Sequence, residues 1–111
     1  MPTPKVSKIV PKGYNGITLW PFGIYFSDEK FLKNNRINNH ESIHWEQQKE
    51  LLGIFFYLLY GIEWVWKTGI YGKHAYRNLA AEREAYTFDN DLKYLKTRKR
   101  YKWLKYIFKK P

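Results

Sequence analysis

Apolar and polar positions divide the chain into a short strand-like part and a longer helical part. Residues 16–27, GITLWPFGIYFS, are rich in β-branched and aromatic residues, which favours strands. Pro21 and Gly23 interrupt this segment, so we expect a hairpin of two short strands with Pro21 at an edge or a bend. Residues 1–15 hold three prolines and several lysines and are predicted to form an irregular lead-in.

A helical pattern begins at about Ile37. From there, His40, His44, Gln47 or Gln48, and Leu51 recur at three- and four-residue steps, the spacing of one helix face. The helix is predicted to run to about Trp66. Its weak points are two glycines, Gly53 and Gly61.

A second helix is predicted to begin near His74, after a glycine-containing loop at residues 67–73. Leu79, Glu82 and Asp89 share one line of this helix. The expected fold class is therefore α+β and mainly α, with a short β-hairpin packed beside two or three helices. Residues 16–111 are expected to form a single domain with a basic, aromatic C-terminal tail.

One apolar segment allows two interpretations. Residues 51–66, LLGIFFYLLYGIEWVW, are almost wholly apolar apart from Glu63, but they fall short of the ~20 residues that span a bilayer. The favoured interpretation is a buried core helix. The alternative is an interfacial or membrane-embedded helix.

Charge and cysteine content limit the function classes. Twenty Lys and Arg against ten Asp and Glu give a formal net charge of +10, which favours anionic partners. The chain has no cysteine, so any zinc site must use histidine and carboxylate ligands. The N-terminus lacks the apolar region of a cleaved secretory signal, and we expect a cytoplasmic protein or one acting at the cytoplasmic side of a membrane.

The segment HESIHWEQQKE, residues 40–50, carries the main candidate chemistry. Histidines four residues apart on a helix share one face, so His40 and His44 can both bind one zinc ion. Glu41 is one position round from His40 and can reach a water on the open side of the metal. This arrangement suits amide hydrolysis, with Glu41 as the general base of a zinc-bound water.

A third ligand is expected from the second helix, where Glu82 and Glu84 are the candidates. These residues lie about 200° apart round a helix, so only one can face the metal. Glu82 is preferred because it shares its line with Leu79 and Asp89, and Glu84 stays as the alternative. Glu63 would need a sharp bend of the first helix to reach the site.

Two motifs resemble those of gluzincin-type zinc metallopeptidases: HESIH, and EREAY about forty residues later. In members of this group like the CAAX-prenyl endopeptidases, the third ligand is the Glu of a Glu-x-x-Ala-Asp element. The resemblance implies that Glu82 is that ligand and Ala85 the alanine, whereas Tyr86 replaces the Asp. It also implies that GIYFS, residues 23–27, corresponds to an edge strand that binds substrate backbone.

Residues that support the ligands can also be suggested from the sequence. A ligand histidine usually donates its other N–H to a carboxylate or carbonyl, and Asp89 and Glu84 are candidates for this role. A donor to the developing oxyanion is needed as well. The candidates are Tyr76, Arg77 and Tyr86.

The predicted function is zinc-dependent hydrolysis of a peptide bond in a peptide or protein substrate. A basic protein that binds nucleic acid or an anionic membrane surface, and keeps zinc without turnover, is the alternative. It depends on the tail, where basic residues that could neutralise phosphates alternate with aromatic residues that could stack on bases. The same tail beside residues 51–66 could hold the protein on anionic lipid.

Overall fold

A computed structural model describes residues 2–109, and it confirms a mainly helical α+β fold. Within these residues a sheet of three strands has the order β1-β3-β2. The strands are β1 (Lys5–Val6), β2 (Gly16–Leu19) and β3 (Gly23–Phe26). The α-helices are α1 (Glu29–Leu32), α2 (Asn35–Glu50), α3 (Ile54–Tyr71), α4 (Ala80–Phe88) and α5 (Tyr94–Thr97). Turns of 3₁₀ helix occupy Gly72–His74, Tyr76–Asn78 and Lys102–Tyr106.

The sheet contains the predicted hairpin and one unpredicted strand. β2 and β3 pair antiparallel on either side of Pro21. β1 forms within the lead-in that was predicted to be irregular, and it pairs parallel with β3. The prediction that residues 23–27 form an edge strand is therefore wrong, because β3 has a neighbour on each side. β2 is the edge strand beside α2, where Gln48 Nε2 donates to the carbonyl oxygen of Thr18 (2.8 Å).

The single helix predicted from Ile37 to Trp66 is two helices. α2 ends at Glu50, and the backbone then takes φ values of 54° at Leu52 and 73° at Gly53. Such left-handed values end a helix and favour glycine. A Cβ atom at Gly53 would also lie 3.0 Å from Trp20 Cε3. The chain therefore breaks at the first of the two predicted weak points, while Gly61 lies within α3.

The surface of α3 differs from that of a buried helix. Its buried residues are Phe56, Glu63 and Lys67, whereas most of its aliphatic side chains face outward. The interpretation of residues 51–66 as a buried core helix is therefore wrong. Among residues 2–109, no helix has both the length and the apolarity that crossing a membrane requires.

The core has two apolar clusters, and the C-terminal segment contributes to both. Trp103 and Tyr106 pack with Phe56, Ala80 and Ala81 in the first. Because these two rings are buried, they are not available to stack on nucleic-acid bases. The second cluster contains Ile43, Ala85 and Tyr94.

Buried acids also connect the C-terminal segment to the helices. Arg98 Nε donates to Glu84 Oε2 (2.6 Å) and Arg98 Nη2 donates to Glu50 Oε1 (2.9 Å). Tyr94 donates its hydroxyl to the same Glu84 carboxylate (2.5 Å). All three charged side chains are at most 5% exposed. Arg98 therefore neutralises acids of two different helices, α2 and α4.

Candidate metal centre

Helix α2 places the two histidines on one buried face. Its first turn is capped by Asn34, whose side-chain oxygen accepts from the backbone N–H of Ile37 (3.0 Å). His40 and His44 follow one turn apart, and their Nε2 atoms lie 3.2 Å from each other. Both residues are buried. The predicted i, i+4 geometry is therefore present in the structure.

Helix α4 brings Glu82 to the same point. Glu82 Oε1 lies 3.3 Å from His40 Nε2 and 3.2 Å from His44 Nε2, so the three residues form a group that could hold a metal ion. Glu84 faces away, towards Arg98 and Tyr94. The helix period thus separates the two candidates as expected, with Glu82 at the cluster and Glu84 elsewhere.

Each histidine has an acceptor at its other ring nitrogen. His40 Nδ1 lies 3.0 Å from Asp89 Oδ2, and His44 Nδ1 lies 2.7 Å from Gln47 Oε1. The Gln47 amide is oriented because its nitrogen donates to Ala81 O and to Glu84 Oε1. Both acceptors require a proton on Nδ1. In the neutral histidines, Nε2 therefore carries the lone pair.

The donor set fits a zinc ion. His40 Nε2, His44 Nε2 and Glu82 Oε1 lie 3.2–3.3 Å from one another. Because all three atoms are acceptors, such short distances need a proton or a cation between them. Ligand atoms about 2.0–2.1 Å from a tetrahedral zinc lie about 3.3 Å apart. Two histidines and one carboxylate also match the ligand types of catalytic zinc sites. His40, His44 and Glu82 are therefore the residues that could hold the ion.

Without a metal, a proton on His44 pairs this histidine with the Glu82 carboxylate. Burial alone would lower the pKa of His44, but the charge of Glu82 and its hydrogen bond raise that pKa to about 10. Burial would raise the pKa of Glu82, but the charge of His44 and hydrogen bonds from both histidines hold it well below its usual range. A bound metal would take the place of this proton, because ligand histidines must be deprotonated at the coordinating atom.

Glu41 lies beside the cluster and is held by the sheet. It is buried, and its Oε1 accepts a hydrogen bond from Thr18 Oγ1 of β2 (2.9 Å). The same hydroxyl lies 2.9 Å from the backbone oxygen of Glu41. Strand β2 therefore fixes the carboxylate predicted to act as general base.

Two cavities meet at Glu41. The first, about 330 Å³, is bordered by Glu41, His44 and Glu82 and by several aromatic rings. The second, about 550 Å³, is bordered by Glu41, His40 and the more polar side chains Arg36 and Asn15. Tyr14 and Tyr76 border both cavities. Glu41 therefore borders both cavities, whereas His44 borders only the first and His40 only the second.

The other suggested residues have different positions. Asp89 supports His40, and Arg36 Nη1 also donates to its Oδ2 (3.2 Å). Tyr86 packs edge-on against His40, with ring centroids 4.5 Å apart, and the Arg77 guanidinium lies 3.5 Å from the Tyr86 ring centroid. Glu63 is paired with Lys67 away from the cluster.

The sequence interpretation missed two residues that touch candidate ligands, Gln47 at His44 and Tyr60 at Glu82. Tyr60 of α3 donates its hydroxyl to Glu82 Oε2 (3.1 Å). Burial, and then the charge of Glu82, raise the pKa of Tyr60, which keeps the hydroxyl protonated as a donor. The only sequence signal of Tyr60 was a hydroxyl within an apolar segment, and that segment was interpreted as core.

Comparison of the chain with protein-family models, with curated proteins and with solved structures found no match. The gluzincin resemblance therefore stays a prediction carried by two short motifs. The cluster geometry is independent of it, because the distances follow from how α2 and α4 pack.

Proposed function

We propose that the protein is a zinc-dependent peptidase in which Glu41 is the general base. The convergence of two histidine lone pairs and the Glu82 carboxylate beside Glu41 supports this most directly. A zinc ion there would be held by His40, His44 and Glu82. When bound, zinc lowers the pKa of water and polarises a carbonyl group.

The residues around the site have separate roles in this proposal. Glu41 takes the proton of the attacking water, while Thr18 holds its Oε1 in place. Asp89 and Gln47 keep the protons of His40 and His44 on Nδ1. Tyr76 borders both cavities, so its hydroxyl is the donor that we assign to the carbonyl oxygen of the substrate.

The two cavities support an extended peptide as substrate. Cavities of about 300–1,000 Å³ hold small ligands or side chains, and Glu41 borders both of those here. Tyr57, Tyr60 and Trp64 line the first, which suits a large apolar side chain. The scissile bond would lie between the two compartments, beside Glu41.

The test combines zinc content with turnover in matched variants. Purified protein is analysed for zinc by mass spectrometry and assayed against a mixture of quenched fluorogenic peptides. Glu41→Gln should keep zinc and lose at least about a hundredfold in kcat, since general-base catalysis contributes about 10²–10⁴. The control is Glu46→Gln, the same change on the same helix in a partly exposed surface pair with Lys49. It should leave both readouts unchanged.

Two results would contradict the proposal. Wild-type protein without stoichiometric zinc, after purification in zinc-containing buffer, would remove the metal. Full zinc with equal cleavage by wild type and Glu41→Gln would remove Glu41 as base. Zinc binding without cleavage of any peptide would instead favour a protein that keeps the metal without turnover.

A further inference from the structure

Helix α3 has the reverse of the polarity expected for a surface helix. Its two charged residues, Glu63 and Lys67, are 2% and 3% exposed and face the rest of the protein. A helix on an aqueous surface normally turns its apolar side inward and its charges outward. The outward side of α3 therefore requires an explanation other than contact with water.

The outward side is a continuous apolar surface. Its side chains are 58–78% exposed and lie within an arc of about 100° round the helix. We call it the outer face of α3, and it consists of Ile54, Phe55, Leu58, Ile62 and Val65. A single exposed apolar residue is ordinary, but a contiguous apolar surface marks an interaction site.

Aromatic and basic residues border this face at its C-terminal end. Trp66 contacts Phe108, with ring centroids 5.3 Å apart, so the C-terminal segment lies against α3. Phe108 is 83% exposed, and its neighbours Lys105 and Lys109 are exposed as well. Lys73, just beyond the end of α3, is also exposed. Apolar side chains bordered by lysines and tryptophans are typical of helices that lie in a membrane interface.

Charge favours lipid over a second copy of the chain. Pairing two outer faces would bring together two chains that each carry a formal net charge of +10, and like charges oppose such association. The same charge attracts the protein to anionic headgroups. The inward side of α3 packs on the domain through Phe56, Glu63 and Lys67, so one face alone is free to enter the interface.

We propose that the outer face of α3 docks the protein on an anionic membrane surface, with α3 parallel to the plane of the bilayer. Tyr57 and Trp64, which line the first cavity, lie on the flank of α3 and outside the outer face. The docking itself depends on the surface of α3 and not on catalysis. It can therefore be tested whether or not the peptidase proposal holds.

The test is flotation of the full-length protein with vesicles. Two compositions are used: phosphatidylcholine alone, and phosphatidylcholine mixed with phosphatidylglycerol. Val65→Glu places a charge on the outer face, where Val65 is 78% exposed. The matched control is Leu92→Glu, which makes the same charge change at a residue outside α3 that is 56% exposed. Both sites are solvated, so both variants should fold.

Wild type and Leu92→Glu should float with the anionic vesicles, and higher salt should weaken the binding. Val65→Glu should lose about tenfold or more in partitioning, since an apolar side chain that was buried in lipid becomes charged. Equal partitioning of the two variants would overturn the proposal, as would wild-type protein that stays with the dense fraction. A dimer that Val65→Glu dissociates, without vesicle binding, would overturn it in favour of self-association.

Discussion

Lys67→Met should destabilise the protein more than the removal of both charges of its ion pair. Lys67 Nζ lies 2.6 Å from Glu63 Oε2 and donates to Asn78 O at 2.6 Å. Glu63 Oε2 in turn accepts from the backbone N–H of Ala80 (2.8 Å). Leu79, which precedes α4, provides no side-chain cap, so Glu63 of α3 caps the helix that carries Glu82.

The magnitude follows from burial. Both side chains are at most 4% exposed, and removing one partner of such a pair leaves an uncompensated buried charge, at about 3–5 kcal/mol. The double variant Glu63→Gln/Lys67→Met has no buried charge, and its amide oxygen can still accept from Ala80. It loses the equivalent of one hydrogen bond, or about 1 kcal/mol. The single variant should therefore be less stable by at least about 2 kcal/mol, or about 8 °C in Tm.

The assay is thermal and urea unfolding followed by far-ultraviolet circular dichroism, with Lys49→Met as control. Lys49 forms a comparable pair with Glu46 (2.7 Å), but its side chain is 49% exposed. An exposed pair contributes less than about 1 kcal/mol. The reasoning fails if Lys67→Met is as stable as Lys49→Met, or if the double variant is no more stable than Lys67→Met.

Two further predictions concern the metal centre. In metal-free protein the pKa of His44 is raised from 6.5 to about 10, so its pairing with Glu82 stabilises the fold fully below pH 6.5 and is lost as the pH rises through 10. Zinc must displace this proton, so the apparent affinity of the protein for zinc should rise about tenfold per pH unit between pH 6 and 8. The affinity is measured by titration against a competing chelator, and an affinity that does not change with pH would contradict this prediction. Asp89→Ala removes the acceptor of His40 Nδ1 and should weaken zinc binding about 10–100-fold. The control is Asp91→Ala, which changes an exposed residue and should leave zinc binding unchanged. Equal zinc affinities in the two variants would refute the role of Asp89.

Much of the metal cluster follows from local helix geometry. His40 and His44 converge because four residues make about one turn, and the same period separates Glu82 from Glu84. Asp89 comes two turns after Glu82 and therefore reaches the same side of the site. These relations depend only on residues within one helix or at its end. They could be predicted without knowing how the helices pack.

The remaining features depend on tertiary packing. Gln47 orients His44 because its amide nitrogen meets α4, a contact between different helices. Tyr60 reaches Glu82 because α3 turns back after the left-handed residues Leu52 and Gly53. The orientation of α3 itself contradicts its hydropathy, since the surrounding structure buries its two charges. β1 is too short to give a periodic pattern, although it makes β3 a central strand.

The bridge made by Arg98 has a consequence for engineering this protein. Its guanidinium is the counter-ion of Glu84 and also contacts Glu50, so a version shortened before residue 98 would leave two buried carboxylates without their counter-ion. The segment from Arg98 to Tyr106 is therefore part of the folding unit. A minimal domain for structural work should retain the segment through Tyr106, whose ring closes the first apolar cluster.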